Sequence, residues 1–119
     1  MIILESNEEW EKIYNSDKKL ILDFTATWCG PCSRIAPVFK SLSEEFKDIS
    51  FVKIDVDKFE EITELMDVSC MPTFMFILNK NLVYTLSGAD EQKLRTYSSI
   101  FNDYIDQSES PINSDSDSK

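Results

Sequence analysis

The spacing of apolar positions changes several times along the chain, and each change marks an element. Residues 1–4 are a short apolar stretch and read as a strand. Ser6 and Glu9 form a capping box that opens a helix running to about Asn15 or Ser16. Its apolar side is Trp10, Ile13 and Tyr14, at the spacing of a helical face. Leu20, Ile21, Leu22 and Phe24 are apolar on both pleat faces, as in a central strand covered on both sides. Only Asp23 interrupts that run. After Cys29-Gly30-Pro31-Cys32 the period becomes helical, with Ile35, Val38, Phe39, Leu42 and Phe46 in one stripe. Pro37 lies inside this helix; it lacks an N–H and crowds the preceding turn, which predicts a kink.

Phe51, Val52, Ile54 and Val56 form a second inner strand, with Lys53 and Asp55 among them. Asp57 and Glu60 read as another capped start, for a short helix with Phe59, Ile62, Leu65 and Met66 on one face. Residues 73–78 and 82–86 are two strands joined by Asn79-Lys80-Asn81, a hairpin without glycine. Asn tolerates the left-handed backbone such a turn requires. Gly88 breaks the pattern, and Asp90 caps a last helix with Leu94, Tyr97, Phe101 and Ile105 on its apolar side. From Gln107 onward the chain is Ser-rich and acidic, which reads as a disordered tail, 107–119, after one domain, 1–106. The order βαβαβαββα needs parallel pairing and right-handed crossovers early, and antiparallel strands late. An α/β fold follows: a mixed five-stranded sheet flanked by four helices.

Composition narrows the function. The 119 residues suit one domain, and 42% hydrophobic content suits a globular one. The net charge of −10 argues against binding nucleic acid or an anionic membrane, since both need Lys and Arg to meet phosphates. The chain has no histidine, which excludes Ser-His-Asp and Cys-His catalysis and every His-ligated metal site. Three cysteines are too few, and odd in number, for a disulfide scaffold. No apolar run approaches the roughly 20 residues of a membrane-spanning helix. The start turns acidic at Glu5, without the basic and apolar regions of a signal peptide, so the expected compartment is the cytosol.

The chemistry concentrates at Cys29 and Cys32. A Cys-x-x-Cys pair near a βαβ pattern reads as a redox motif. A cysteine just before a helix meets unpaired N–H groups and the positive end of the helix dipole. Both favour the thiolate and make the sulfur nucleophilic near neutral pH. A second cysteine one turn later attacks the mixed disulfide that the first one forms. Pro31 suits the first turn, and Gly30 permits a tight bend with room for a substrate. Zinc ligation, an inert structural disulfide and a degenerate site kept for packing are the competing readings. Asp23 is a carboxylate in a central apolar strand, where burial raises the pKa. Lys53 on the neighbouring strand offsets part of that cost. Asp23 is therefore the candidate general base for Cys32, unless it lies at a solvated strand end.

The run Asp23-Phe24-Thr25-Ala26-Thr27-Trp28-Cys29-Gly30-Pro31-Cys32 resembles the active-site segment of the thioredoxin family. Pro37 is similar to the family's kink proline, Met71-Pro72-Thr73 to its cis-proline loop, and Gly88-Ala89 to its late glycine. The resemblance covers about residues 1–106. It implies a thioredoxin fold and reduction of protein disulfides, with a redox-active Cys29–Cys32 disulfide and no bound cofactor or metal. Cys29 would attack and Cys32 resolve, with Asp23 deprotonating Cys32 through water and Lys53 tuning it. Pro72 would be cis, Met71 would offer backbone groups to substrate, and Trp28, Gly88 and Ala89 would complete a docking surface beside Gly30 and Pro31. An NADPH-dependent thioredoxin reductase would recycle the oxidised form, and peroxiredoxins are among the implied substrates. A mainly monomeric protein is expected.

Cys70, beside Pro72, resembles a cysteine of cytosolic eukaryotic members that is modified or links two molecules. It reads either as a regulatory thiol or as a tolerated exposed cysteine. Ser33 stands where a basic residue is frequent, and Thr25 where many bacterial members have an aromatic one. Ser114-Asp115-Ser116-Asp117 has the form of an acid-directed phosphorylation site. Two other functions use the same residues: a disulfide oxidase or isomerase, and a non-catalytic binding module.

Overall fold

The computed structural model describes residues 1–104. Ile105, the expected tail 107–119 and its Ser114–Asp117 motif lie outside the described residues. The elements in chain order are β1 (Ile2–Ile3), α1 (Asn7–Ser16), β2 (Lys19–Thr25), α2 (Gly30–Glu45), β3 (Ser50–Asp55), α3 (Glu60–Leu65), β4 (Thr73–Leu78), β5 (Asn81–Ser87) and α4 (Glu91–Asn102). The strands form one sheet in the order β1-β3-β2-β4-β5. β3 is parallel to β1 and β2, while β4 is antiparallel to β2 and β5. The expected element order and mixed sheet are those the chain forms.

Alternation along the strands divides the core into two layers. Leu20, Leu22, Phe24, Val52, Ile54, Met75 and Ile77 pack with Trp10 and Ile13 of α1 and Ile62 of α3. Ile21, Phe51, Phe74 and Phe76 face the other way, against Ile35, Val38, Phe39 and Leu42 of α2 and Leu94 and Phe101 of α4. β2 is covered on both faces, which is why its sequence is apolar at consecutive positions.

The helix starts follow the capping chemistry, with one exception. Ser6 Oγ accepts the Glu9 N–H at 3.0 Å, and Glu9 reaches back to the Glu5 N–H at 2.8 Å. Asp90 accepts the Lys93 N–H at 3.0 Å. Asp57, by contrast, does not cap α3. The capping position falls on Phe59, which makes no side-chain cap bond. A turn in which Asp55 O accepts the N–H groups of Lys58 and Phe59 delays the helix past Asp57.

Leu65 departs from expectation in the same helix. It is 79% exposed, whereas Phe59 and Ile62 are buried. At about 100° per residue, Phe59, Ile62 and Met66 cluster on one side, and Leu65 falls at its far margin. The hairpin turn is also tighter than the expected three residues. Only Asn79 and Lys80 separate the strands, at φ 51° and 69°. Positive φ at both positions is what a two-residue hairpin turn needs to match strand twist. Pro37 lies inside α2, which continues through it from Gly30 to Glu45.

Candidate active site

β2 ends at Thr25, and a short loop delivers Trp28 and Cys29 to the start of α2. Cys29 is the N-cap of that helix, and its Sγ accepts the Cys32 N–H at 3.2 Å. The first turn of α2 carries no acidic residue. In a chain of net charge −10, this keeps like charge away from the position where a thiolate would form. Pro31 occupies the first turn, where its missing N–H leaves no bond unmade.

Cys29 and Cys32 are joined as a disulfide, with Cα atoms 5.3 Å apart. Both are buried, at 6% and 4% exposure. The peptide bond between Met71 and Pro72 is cis. This loop sits against the disulfide, with Cys29 Sγ 3.7 Å from the Met71 carbonyl oxygen. Gly88, at φ +95°, donates its N–H to Pro72 O at 2.9 Å and ties the β5 end to the loop. Trp28 is 66% exposed. Its indole N–H donates to Asp57 Oδ2 at 2.9 Å, so the ring is anchored by one edge while a face stays open. Gly30 and Pro31 are exposed beside it, and Met71 is half-buried. Ala89 packs against the α2/α4 layer.

Asp23 lies beneath, in the middle of the sheet. It is 1% exposed, which excludes the solvated alternative. Its register partners are Lys53 on β3 and Phe74 on β4. By alternation it shares a face with Ile21, the face that α2 covers. Burial raises its pKa from 3.8 to about 7, and the Lys53 charge opposes part of that rise. Asp23 Oδ1 has no hydrogen-bond partner among the described residues. A cavity of about 390 Å³ reaches this region and is lined by Cys32, Lys53, Asp55, Lys58, Ser33 and Thr25, among others. Cys32 and Lys53 thus share one solvent-accessible recess behind the disulfide.

Cys70 is exposed and free. Its carbonyl accepts the Thr73 hydroxyl at 2.6 Å, and its Sγ lies 3.7 Å from that hydroxyl. Thr73 therefore braces the turn that precedes Pro72. Neither Thr73 nor Asp57 was assigned to the site from sequence. Asp57 follows the β3 end beside the loop that carries Trp28, a position signal that the capping pattern obscured.

No group of three or more His, Cys, Asp or Glu among the described residues could hold a metal ion. No described helix is long and apolar enough to cross a membrane. A disulfide between the residue that caps a long helix and a residue in its first turn, in this sheet, defines a thiol-disulfide oxidoreductase. The Thioredoxin family model matches residues 1–99, and the chain belongs to the thioredoxin family. It is 44% identical to the thioredoxin of Ophiophagus hannah over 94 residues, 78% of this chain and 90% of that protein. It is 47% identical to the thioredoxin of Gallus gallus over 78 residues, 66% of this chain and 74% of that one. Among solved structures, Plasmodium falciparum thioredoxin superposes with a TM-score of 0.81 at 37% identity, covering 84% of this chain and 98% of that one. Fasciola hepatica thioredoxin gives 0.79 at 39% identity, covering 85% and 99%.

Proposed function

We propose that this chain works in the reducing direction, as a protein-disulfide reductase recharged by an external dithiol. The observation that carries the reading is the Cys29 sulfur at the α2 N-terminus, 3.7 Å from the carbonyl of the residue before the cis-proline. In the dithiol form the Cys29 thiolate attacks one sulfur of a substrate disulfide. A Cys29–substrate disulfide forms, and the first substrate sulfur leaves as a thiolate and takes a proton from solvent. Asp23, ionised, accepts the Cys32 proton through water, with Lys53 setting its basicity. The Cys32 thiolate then attacks Cys29 Sγ and expels the second substrate sulfur. Two electrons have passed to the substrate, and the Cys29–Cys32 disulfide remains.

Trp28, Gly30, Pro31, Met71, Pro72, Gly88 and Ala89 form the face on which the substrate chain lies. Met71 offers backbone groups to an extended segment, as in strand addition. An NADPH-dependent thioredoxin reductase restores the dithiol, and protein disulfides such as those of peroxiredoxins are the substrates. No cofactor takes part in the exchange on this chain. The functional unit is residues 1–106 with 107–119 as an appended tail, the compartment is the cytosol, and Cys70 is a regulatory thiol able to link two copies.

The test is NADPH-coupled reduction of insulin with and without thioredoxin reductase. Turnover is expected only with the reductase, lost in Cys29→Ser, and replaced by a trapped Cys29 mixed disulfide in Cys32→Ser. A reduction potential near about −270 mV supports the reductase direction, and one near about −180 mV assigns the chain to oxidation or isomerisation. Full biological activity of the double Cys→Ser variant would make it a binding module instead.

A further inference from the structure

Thr73 is the first residue of β4 and pairs with Phe24 on β2 and Ser87 on β5, so the sheet fixes its backbone from both sides. Its side chain is buried, at 3% exposure, and reaches back past Pro72 to donate its hydroxyl to the Cys70 carbonyl at 2.6 Å. The Gly88 N–H holds the Pro72 carbonyl at 2.9 Å. Met71 lies between these two clasps. Among the described residues its own N–H and carbonyl enter no backbone hydrogen bond, and its carbonyl oxygen is 3.7 Å from Cys29 Sγ.

The Cys70 carbonyl and the Met71 N–H belong to one planar, trans peptide unit. Holding the carbonyl therefore also sets the N–H, which points the opposite way, away from the buried Thr73 hydroxyl. Satisfying the carbonyl does not by itself require Thr73, because Cys70 is exposed and water is an alternative partner. What the hydroxyl adds over water is a fixed direction, since the strand that carries it is fixed. We infer that Thr73 is a positioning residue for the substrate chain: its hydroxyl aims the Met71 N–H outward, to meet a backbone carbonyl of an extended substrate segment. This rests on the proposed disulfide-reductase reading, and it assigns the orientation of that docking contact to one hydroxyl that does not itself touch the substrate.

The probes are an extended peptide disulfide and an analogue in which alkene isosteres replace the peptide bonds beside the reacting cysteine. The analogue keeps the shape of the peptide but offers no carbonyl there. Each is mixed in stopped flow with the full chain, reduced beforehand, and the half-saturating concentration and limiting rate are measured. Thr73→Val keeps the branched shape and loses the hydroxyl. It should raise half-saturation for the peptide roughly fivefold, the worth of one hydrogen bond, with the limiting rate changed less than about twofold. Thr73→Ser should restore the parent value. The analogue should already be weak on the parent, and Thr73→Val should weaken it no further, because both changes remove the same contact. Thr73→Ala is the second hydroxyl-free variant, and the same pattern is expected of it. Effects of variant and analogue that multiply, a loss confined to the limiting rate, unchanged half-saturation in the hydroxyl-free variants, or Thr73→Ser as impaired as Thr73→Val would overturn the inference. So would equal half-saturation of the unsubstituted chain by peptide and analogue, a result that needs no variant to fold. Failure of the unsubstituted chain to reduce either probe would instead overturn the reductase reading.

Discussion

The two layers beside the sheet are built from different side chains and end differently. Under α2 and α4 the packing is aromatic. Phe39 packs edge-on to Phe51, and Phe76 edge-on to both Tyr84 and Phe101. Such pairs add about 0.5–1.5 kcal/mol each beyond the area they bury. Under α1 and α3 the layer is mostly aliphatic, and its last helix leaves Leu65 in solvent. The aromatic layer fixes α2, the helix that carries both cysteines. It also contains Asp23, whose neighbours across the sheet are Lys53 and Phe74. The disulfide itself packs with the other layer, since Cys29 and Cys32 belong to the cluster of Trp10, Ile13 and Ile62, so α2 is held from the aromatic side while its sulfurs meet the aliphatic one.

The largest effect should come from adjacent residues of β4 that face opposite layers. Phe76 is fully buried among rings, and Met75 is 4% exposed among aliphatics. Phe76→Ala should cost about 4 kcal/mol, because the lost ring leaves a cavity that rigid neighbours cannot fill. Met75→Ala should cost about 2–3 kcal/mol. Urea unfolding midpoints of the two variants measure the difference. Equal losses would show that the aromatic layer contributes no more than its buried area.

Asp23 tests the aromatic layer from the opposite direction, because there the sequence places a charge. Its folded pKa of about 7 lies above the ordinary 3.8. Its contribution is therefore fully present below pH 3.8, is lost as pH rises toward 7, and stays lost above that. An ionised Asp23 costs on the order of 4 kcal/mol at pH 8. Asp23→Asn should be several kcal/mol more stable than the parent at pH 8 and nearly equal to it at pH 4, read from thermal unfolding at both values. The same variant should slow release of the mixed disulfide. In the parent, that release should accelerate as pH passes through about 7, where the carboxylate becomes available as a base. A pH-independent stability difference would show that Asp23 is solvated in the working molecule.

The helix caps should have smaller effects and should not distinguish the layers. Ser6→Ala at α1 and Asp90→Ala at α4 should each cost about 1 kcal/mol. They lie at different helix starts, so their effects should add in the double variant, as chemical denaturation would show.

Local chemistry explains what was legible in the sequence. The caps at Ser6 and Asp90, the doubly covered β2 and the Cys-x-x-Cys before α2 each depend on residues a few positions apart. So does the burial of Asp23, because a strand apolar at consecutive positions must be covered on both faces. Three features did not follow from a local sequence pattern. Asp57 has the spacing of a cap, yet its carboxylate serves Trp28, 29 positions earlier. Lys80 takes a left-handed backbone because the pairing of β4 with β5 closes the turn there, against the preference of its own side chain. Thr73 reads as a strand residue, and only the fold of the loop shows it holding the Cys70 carbonyl.

Leu65 is the third kind of case, where helical period alone misplaced a residue, and it carries the smallest predicted effect on stability. Ile62 and Leu65 are three positions apart in α3, and a simple apolar stripe would bury both. The helix has only six residues, and Asp67 at φ 58° turns the chain away just after it. Ile62 therefore reaches the core at 5% exposure, while Leu65 does not. Ile62→Ala should cost about 3 kcal/mol. Leu65→Ala should change stability by no more than about 0.5 kcal/mol, because the side chain is in water before and after unfolding. A loss at Leu65 comparable to that at Ile62, measured under the same denaturant conditions, would return Leu65 to the core.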